Sequence, residues 1–220
     1  MTRSFEQARD RKVLAREQPV KMARWPRTDR RVRRIQSVLR HRQPDLTVVL
    51  ENVHDPHNIH AVLRTCDAVG VERLHLIDSP EISQADAGQS TTSAGAAKWV
   101  EIVHHTSIVE CFTVLRGEGK VIFAATLSGA SHPLYATDLT RPICLAFGNE
   151  MRGLSAEAIA SADGELVIPM MGMVESLNIS VACAVTLYEA LRQRQAAGHY
   201  DVPKRPEAEL EQLEAEWLER

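Results

Sequence analysis

The feature that most constrains the fold is a regular alternation of short apolar runs with amphipathic helical segments. The run 121–126 begins Val-Ile-Phe-Ala-Ala, which is typical of a strand covered by helices on both faces. Strands that alternate with helices predict an α/β domain with a mostly parallel sheet and helices on both faces. The predicted strands are 47–51, 74–77, 99–103, 121–126, 143–147 and 166–168, and the predicted helices are 58–70, 107–116, one from 155 and one from 176.

Both ends of the chain add to this domain. Residues 1–28 show no sustained periodicity and are interpreted as a flexible basic extension, followed by a basic amphipathic helix at 29–43. The acidic segment 201–220 is predicted to be a tail or a helix. Its apolar stripe is expected to dock on the domain, which spans 29–200, or on a partner subunit, and consists of Leu210, Leu213 and Trp217.

The composition limits the class of protein. A chain of 220 residues with 44% apolar side chains can bury the core of one domain, and no apolar run approaches the roughly 20 residues of a membrane helix. The N-terminus has no apolar export segment, so we expect a soluble, cytoplasmic protein. Four cysteines occur singly and are expected to be reduced and packed: Cys66, Cys111, Cys144 and Cys183.

The net charge of −3 hides a strong asymmetry along the chain. Residues 1–42 carry 14 Lys and Arg against 4 Asp and Glu, a net charge of +10, which leaves −13 for residues 43–220. A basic block at one end is typical of arms that bind nucleic acid. The alternative is a solvated, partly disordered tail.

Polar residues follow the first predicted strand, at the sheet edge where open parallel sheets bind ligands. Asn58 is predicted to cap the helix there, and Arg64 lies near the face opposite its apolar side. The Arg64 guanidinium could hold a phosphate or a developing alkoxide, or it could be a solvated surface group.

Two later strands also end in polar loops. Gly148 and Gly153 flank Glu150 and allow a tight turn close to a ligand, although a plain strand-to-helix turn capped by Ser155 explains them equally well. Ser176 and Asn178 place a hydroxyl and an amide at the start of the last helix, or they cap it.

Three histidines, His54, His57 and His60, recur at every third position and raise the question of a metal site. Pro56 interrupts any helix that would align all three, and no cysteine or carboxylate cluster completes a ligand set. We therefore expect no metal.

Taken together, the three loops resemble the motifs of the SpoU-type RNA ribose 2′-O-methyltransferases. The first motif, N-x-x-A-x-x-R, matches Asn58, Ala61 and Arg64; the second, G-x-E-x-x-G, matches Gly148, Glu150 and Gly153; the third matches 168–170 and 176–182. Similarity runs over roughly 30–200. Within the family, the chain most resembles the members that methylate guanosine 18 in the D-loop of tRNA.

The resemblance implies a C-terminal deep trefoil knot, a homodimer whose active site draws on both subunits, and a tRNA substrate. It implies S-adenosyl-L-methionine as cofactor, with contacts carried over to Thr126, Gly148, Ile168 and Leu177. Arg64 would stabilise the forming ribose alkoxide, because a guanidinium stays protonated. The residues expected to fix that geometry are Asn58, Glu150, Ser176 and Asn178.

For the RNA itself, the implied phosphate contacts are arginines near both ends of the domain. Glu175 stands where many relatives have Gln. The alternatives are a ribosomal RNA methyltransferase of the same family and an RNA-binding protein without catalysis, whereas a dinucleotide oxidoreductase is excluded because its glycine fingerprint is absent. The predicted RNA-binding residues are Arg30, Arg31, Arg33, Arg34, Arg40, Arg42, Arg192 and Arg194.

Overall fold

The computed structural model of the protein describes residues 28–78, 98–127 and 131–220. The predicted extension up to residue 27 and most of the polar stretch before Gly95 lie outside the described residues. The strands are β1 (Leu46–Glu51), β2 (Arg73–Ile77), β3 (Glu101–His105), β4 (Val121–Ala125), β5 (His132–Pro133), β6 (Ile143–Phe147) and β7 (Gly164–Val167). The α-helices are α1 (Asp29–Arg40), α2 (Pro56–Val69), α3 (Ile108–Gly117), α4 (Ala156–Ser161), α5 (Ile179–Ala196) and α6 (Glu207–Glu219).

The seven strands form one sheet in the order β3-β2-β1-β6-β4-β7-β5, and every pairing is parallel. The predicted α/β class is therefore confirmed. Side chains alternate between the faces of each strand: Val48 joins the core that includes residues of α2 and α5, whereas Val49 joins the core that includes residues of α3 and α4. Helices cover both faces of the sheet, which is why its central strands are apolar at almost every position.

Two helix starts differ from the sequence prediction. Asp55, not Asn58, caps α2 by accepting a hydrogen bond from the His57 backbone N–H at 2.8 Å, and Pro56 occupies the first helical position. The last long helix begins three residues later than predicted, because the cap is Asn178 rather than Ser176. Capping of α4 by Ser155 is confirmed.

The N- and C-terminal helices pack on each other. Ile35 and Leu39 of α1 contact the apolar stripe of α6, so docking of that stripe on the domain is confirmed. Arg40 forms an ion pair with Glu207 at 2.7 Å across the same contact. The basic helix itself ends at Arg40 rather than at residue 43.

Trp99 explains why β3 begins two residues later than predicted. The centres of the Trp99 and Trp217 rings are 4.8 Å apart. Trp99 therefore packs against α6 and does not belong to the sheet. The two-residue strand β5 was not predicted, since it is too short to show a pattern. All four cysteines are buried and unpaired, and none of the helices in the described ranges is long and apolar enough to cross a bilayer.

Candidate active site

A cavity of about 510 Å³ opens at the carboxyl ends of β4, β6 and β7. This volume lies within the range of small-molecule binding sites, and so does its largely apolar lining. The structure brings all four residues predicted for cofactor contact to this cavity, together with two of the residues predicted for catalysis. These six lining residues are Thr126, Gly148, Glu150, Ile168, Ser176 and Leu177.

A chain of hydrogen bonds joins two further predicted site residues, Asn58 and Asn178, to Glu150 in the cavity lining. The Asn178 side-chain amide donates to Asn58 Oδ1 at 3.1 Å, and the Asn58 amide donates to Glu150 Oε1 at 2.5 Å. Asn178 also caps α5, because its Oδ1 accepts the Ser180 backbone N–H at 2.9 Å. One polar chain therefore links α5, α2 and the loop after β6.

The loop after β6 is held closed by its own backbone. A Cβ atom on Gly148 would lie 2.0 Å from the carbonyl carbon of Gly153, so only glycine permits this approach. Gly153 adopts φ 69° and donates its N–H to the Asn149 carbonyl at 2.8 Å. Asn149 also donates its side-chain amide to the Asn52 carbonyl at 3.0 Å, which ties the loop to the end of β1.

Glu51 is a residue of this region that sequence reasoning missed. It is the last residue of β1, is 5% exposed, and accepts hydrogen bonds from the Ser155 backbone N–H at 2.8 Å and from the Ser155 hydroxyl at 2.7 Å. The Glu51 carboxylate thus fixes the far end of the cavity loop. A charged residue that closes a mostly apolar strand is the sequence pattern that could have identified it.

The Thr126 hydroxyl sits at the end of β4 within a polar group. It donates to Glu165 Oε2 at 2.7 Å and lies 2.7 Å from the Ser131 hydroxyl. The cavity wall at β4 is therefore polar where the rest of the strand ends are apolar.

Arg64 is not among the residues that line the cavity of this single chain. It lies on α2 with an exposed side chain, on the face away from the buried Val62 and Leu63. No hydrogen bond or ion pair holds it within the described part of the chain. The guanidinium is consequently available to a ligand or to another copy of the protein.

The predicted RNA-binding arginines fall into two groups, of which the first is accessible. Arg30, Arg33 and Arg34 are exposed on α1, and Arg31 is half-buried there. The others in this group are engaged but still reachable: Arg40 pairs with Glu207, and Arg192, with its side chain 67% exposed, pairs with Glu189 at 2.8 Å.

Arg194 belongs to the second group and corrects the prediction. It is 0% exposed and binds Asp45 Oδ1 at 2.7 Å, the Arg141 carbonyl at 2.8 Å and the Leu139 carbonyl at 2.9 Å. Burial raises the pKa of Asp45, but Lys204 and Arg194 outweigh it and leave that pKa below its ordinary value. Arg194 is therefore a structural cation that no RNA phosphate can reach.

Arg42 is the second correction. Its side chain is buried and donates to Asp67 at 2.6 Å, to the Val71 carbonyl at 2.9 Å and to the Trp99 carbonyl at 3.1 Å, with its guanidinium carbon 5.1 Å from the centre of the Trp217 ring. It connects α1, α2, the segment before β3 and α6. Sequence alone could not separate it from the exposed arginines beside it.

The chain is similar in sequence to known methyltransferases. Residues 45–188 match the family model described as the SpoU rRNA Methylase family. A Thermus thermophilus protein named tRNA (guanosine(18)-2′-O)-methyltransferase is 46% identical over 198 residues, which are 88% of this chain and 98% of that protein. A Vibrio cholerae 23S rRNA (guanosine-2′-O-)-methyltransferase is 38% identical over 71% of this chain and 62% of its own length.

Two solved structures are similar over most of the chain. The A. aeolicus TrmH/SpoU tRNA modifying enzyme superposes with a TM-score of 0.77 and 38% identity, covering 86% of this chain and 95% of that one. The Streptomyces viridochromogenes SpoU methyltransferase AviRb, solved in complex with the cofactor AdoMet, gives a TM-score of 0.61 and 28% identity over 70% of this chain and 60% of that one.

Proposed function

The chain belongs to the SpoU methylase family, and on that premise we propose that it transfers a methyl group from S-adenosyl-L-methionine to the ribose 2′-hydroxyl of guanosine 18 in tRNA. The observation that carries the proposal is that the second and third motif loops line one cavity, and that Asn58 of the first motif is joined to them by the hydrogen-bonded chain Asn178-Asn58-Glu150. The alignment with the Thermus thermophilus protein named tRNA (guanosine(18)-2′-O)-methyltransferase covers 98% of that protein.

The residues at the cavity fit the cofactor. The apolar ends of β6 and β7, with Leu177, suit an adenine ring, while the carboxylates of Glu150 and Glu175 suit a cationic sulfonium. When bound, S-adenosylmethionine supplies an electrophilic methyl group. Thr126, Gly148, Ile168 and Leu177 are the residues proposed to hold it.

Arg64 is the proposed catalytic group. A ribose 2′-hydroxyl is a poor nucleophile at neutral pH, so its oxygen must be oriented and its developing negative charge stabilised. The Arg64 guanidinium donates hydrogen bonds but cannot accept a proton. It would therefore hold the alkoxide and the adjacent phosphate, while a phosphate oxygen or a water molecule takes the proton.

The other motif residues set the geometry of this reaction. Asn58 and Asn178 fix the first turns of α2 and α5 relative to each other, and Glu150 fixes the cavity loop to both. Ser176 lines the cavity with an exposed hydroxyl that we assign to the substrate ribose. No step of this scheme uses a metal ion.

We propose a homodimer in which Arg64 of one copy serves the cavity of the other. Arg64 faces away from its own buried helix side, and large apolar side chains are exposed both beside the cavity and on α5, which a second copy would cover. They are Met171, Met173, Val174, Val181 and Tyr188.

The knot that the family resemblance implies is proposed for the C-terminal part of the sheet. There β6 inserts between β1 and β4, and β7 lies beyond β4, so the chain crosses the sheet repeatedly before α5. The division into an extension, a methyltransferase domain at 29–200 and an acidic C-terminal segment likewise stays a prediction.

The RNA surface is proposed to include the exposed arginines of α1, namely Arg30, Arg33 and Arg34. Removing the three charges by substitution with alanine would lower the salt dependence of tRNA binding, with the slope of log K against log salt falling by about 2 to 3. If the slope is unchanged, the arginines of α1 do not contact the RNA phosphates.

The direct test of the function is to incubate the protein with labelled S-adenosylmethionine and either total tRNA or ribosomal RNA, and to map the methylated ribose. We expect label at guanosine 18 of tRNA. Label confined to ribosomal RNA would favour the activity named for the Vibrio relative instead. Absence of both methylation and cofactor binding would indicate a binding protein without catalysis.

The role of Arg64 is tested separately. Arg64→Ala and Arg64→Lys should both lose methyl transfer, whereas Arg116→Ala, an exposed arginine on α3 at the other face of the sheet, should not. Mixing Arg64→Ala with Glu150→Ala subunits should restore activity that neither variant shows alone, since only a site built from two copies can then be intact. If mixing does not restore methyl transfer, Arg64 acts at the cavity of its own subunit.

A further inference from the structure

A second cluster of chemically active side chains lies at the opposite edge of the sheet from the cavity. His75 is on β2, His105 ends the edge strand β3, and Cys111 lies in the first part of α3. One ring nitrogen of each histidine and the Cys111 sulfur all lie within 4.8 Å of one another. These residues are far apart in sequence, so the motif search that considered His54, His57 and His60 could not find them.

His75 is not fully accounted for by hydrogen bonding. It is 1% exposed, its Nδ1 lies 2.8 Å from His105 Nε2, and the two rings stack with centroids 5.1 Å apart. Its Nε2 is buried with no hydrogen-bond partner within the described residues. Because buried polar atoms are nearly always satisfied, an unpaired nitrogen on a buried imidazole that is clustered with a second histidine and a thiol points to a ligand-binding role.

We propose that His75, His105 and Cys111 bind one Zn²⁺ ion. Imidazole nitrogen and thiolate sulfur are the donors that zinc prefers. Zn–N bonds of about 2.0 Å and Zn–S bonds of about 2.3 Å place the three protein ligand atoms of a tetrahedral site about 3.3 to 3.5 Å apart. The ligand atoms lie within 4.8 Å of one another, so the widest pair must close by about 1 Å, which side-chain rotations can supply.

Zinc binds neutral imidazole and thiolate, so its ligands must lose a proton as the ion binds. Each histidine binds the ion as a neutral ring through one nitrogen and keeps its proton on the other. The Cys111 thiol proton leaves to solvent as the Zn–S bond forms. One proton is released for each ion, and water takes the fourth position.

The ion would act as a structural tie. β3 is an edge strand whose residues are half-buried or exposed, and among the described strands it pairs with β2 alone. A Zn²⁺ ion would join β2, β3 and α3 at one point, away from the proposed methyl-transfer cavity. Its loss should therefore lower stability without altering cofactor binding.

The test uses the full-length protein freed of metal by a chelator and titrated with Zn²⁺ alone against a chromophoric competitor. We expect one ion per chain, a rise in the thermal midpoint, and a thiolate-to-metal charge-transfer band when Co²⁺ replaces Zn²⁺. Cys111→Ala and His105→Ala should abolish all three, whereas Cys144→Ala, another buried thiol, and His104→Ala, the exposed neighbour, should keep them.

Two results would overturn the proposal. One is the absence of stoichiometric Zn²⁺ binding by the wild-type protein, and the other is equal binding by wild type and Cys111→Ala. If Cys111→Ala does not fold, His105→Ala, at a half-buried position, supplies the same comparison.

Discussion

Glu51 offers the sharpest test of how the fold shapes the cavity. The Glu51 carboxylate holds the Ser155 N–H and hydroxyl, and hydrogen bonds to a charged group contribute about 1.5 to 3 kcal/mol each. Glu51→Gln keeps the side-chain volume but only one acceptor oxygen, so we expect the free energy of unfolding to fall by about 1.5 kcal/mol. Glu51→Ala loses both bonds and should cost about 3 kcal/mol.

Glu51→Gln should also loosen the cavity loop and weaken binding of the cofactor. If re-forming the loop costs about 1.4 kcal/mol, the dissociation constant of S-adenosylmethionine rises about tenfold. The turnover at saturating cofactor should stay unchanged, because Glu51 does not touch the reacting atoms. Equilibrium dialysis and urea unfolding measure the two quantities, with Glu157→Gln, an exposed glutamate in the first turn of α4, as the control.

A double-mutant cycle with Ser155→Ala isolates the contact. Glu51→Ala and Ser155→Ala both remove the hydrogen bond between the Ser155 hydroxyl and the Glu51 carboxylate, so their combined cost should be smaller than the sum by about 1 kcal/mol. Strict additivity, or a Glu51→Gln protein that is less stable yet binds the cofactor normally, would refute the reasoning.

Three further predictions follow from individual contacts. Arg194→Ala leaves Asp45 without its buried partner and should cost about 3 to 5 kcal/mol in urea unfolding, whereas Arg192→Ala should change stability by less than about 1 kcal/mol. Trp217→Ala should cost about 3 kcal/mol or more and raise amide exchange in α1 and α6 before the sheet responds. Burial raises the pKa of Glu118, but Arg73 and Lys120 lower it to about 2, so this carboxylate stabilises the fold above pH 4.5. That stability is lost as the pH falls from 4.5 towards 2, and acid unfolding of Glu118→Gln should be flatter in this window.

The sheet could be predicted from the sequence because its central strands are buried on both faces, so that strands such as 121–125 and 143–147 are unbroken apolar runs. The cavity residues could be predicted because ligand sites of parallel sheets lie at the strand ends, where Gly148 and Leu177 were expected. Both inferences depend on patterns that are local in the chain.

Features that depend on distant partners could not be predicted. Arg42 and Arg194 lie within basic segments and have the same sequence character as exposed arginines, but their partners lie 25 and 149 residues away. The helix caps Asp55 and Asn178 were misplaced by a few residues, since Asn, Asp and Ser near each start are almost equally good caps. The grouping of His75 with Cys111 arises only when α3 packs on β2.

The hydrogen bond between Asn58 and Asn178 joins residues 120 positions apart, and it has a consequence for synthesis of the protein. The ribosome completes β1 and α2 long before α5, and until Asn178 leaves the exit tunnel Asn58 lacks this partner and the cavity lacks the wall formed around Leu177. A truncated or nascent chain can form much of the sheet and still have no complete place for the methyl donor. Synthesis of the chain through the start of α5 is thus a condition for assembly of the site.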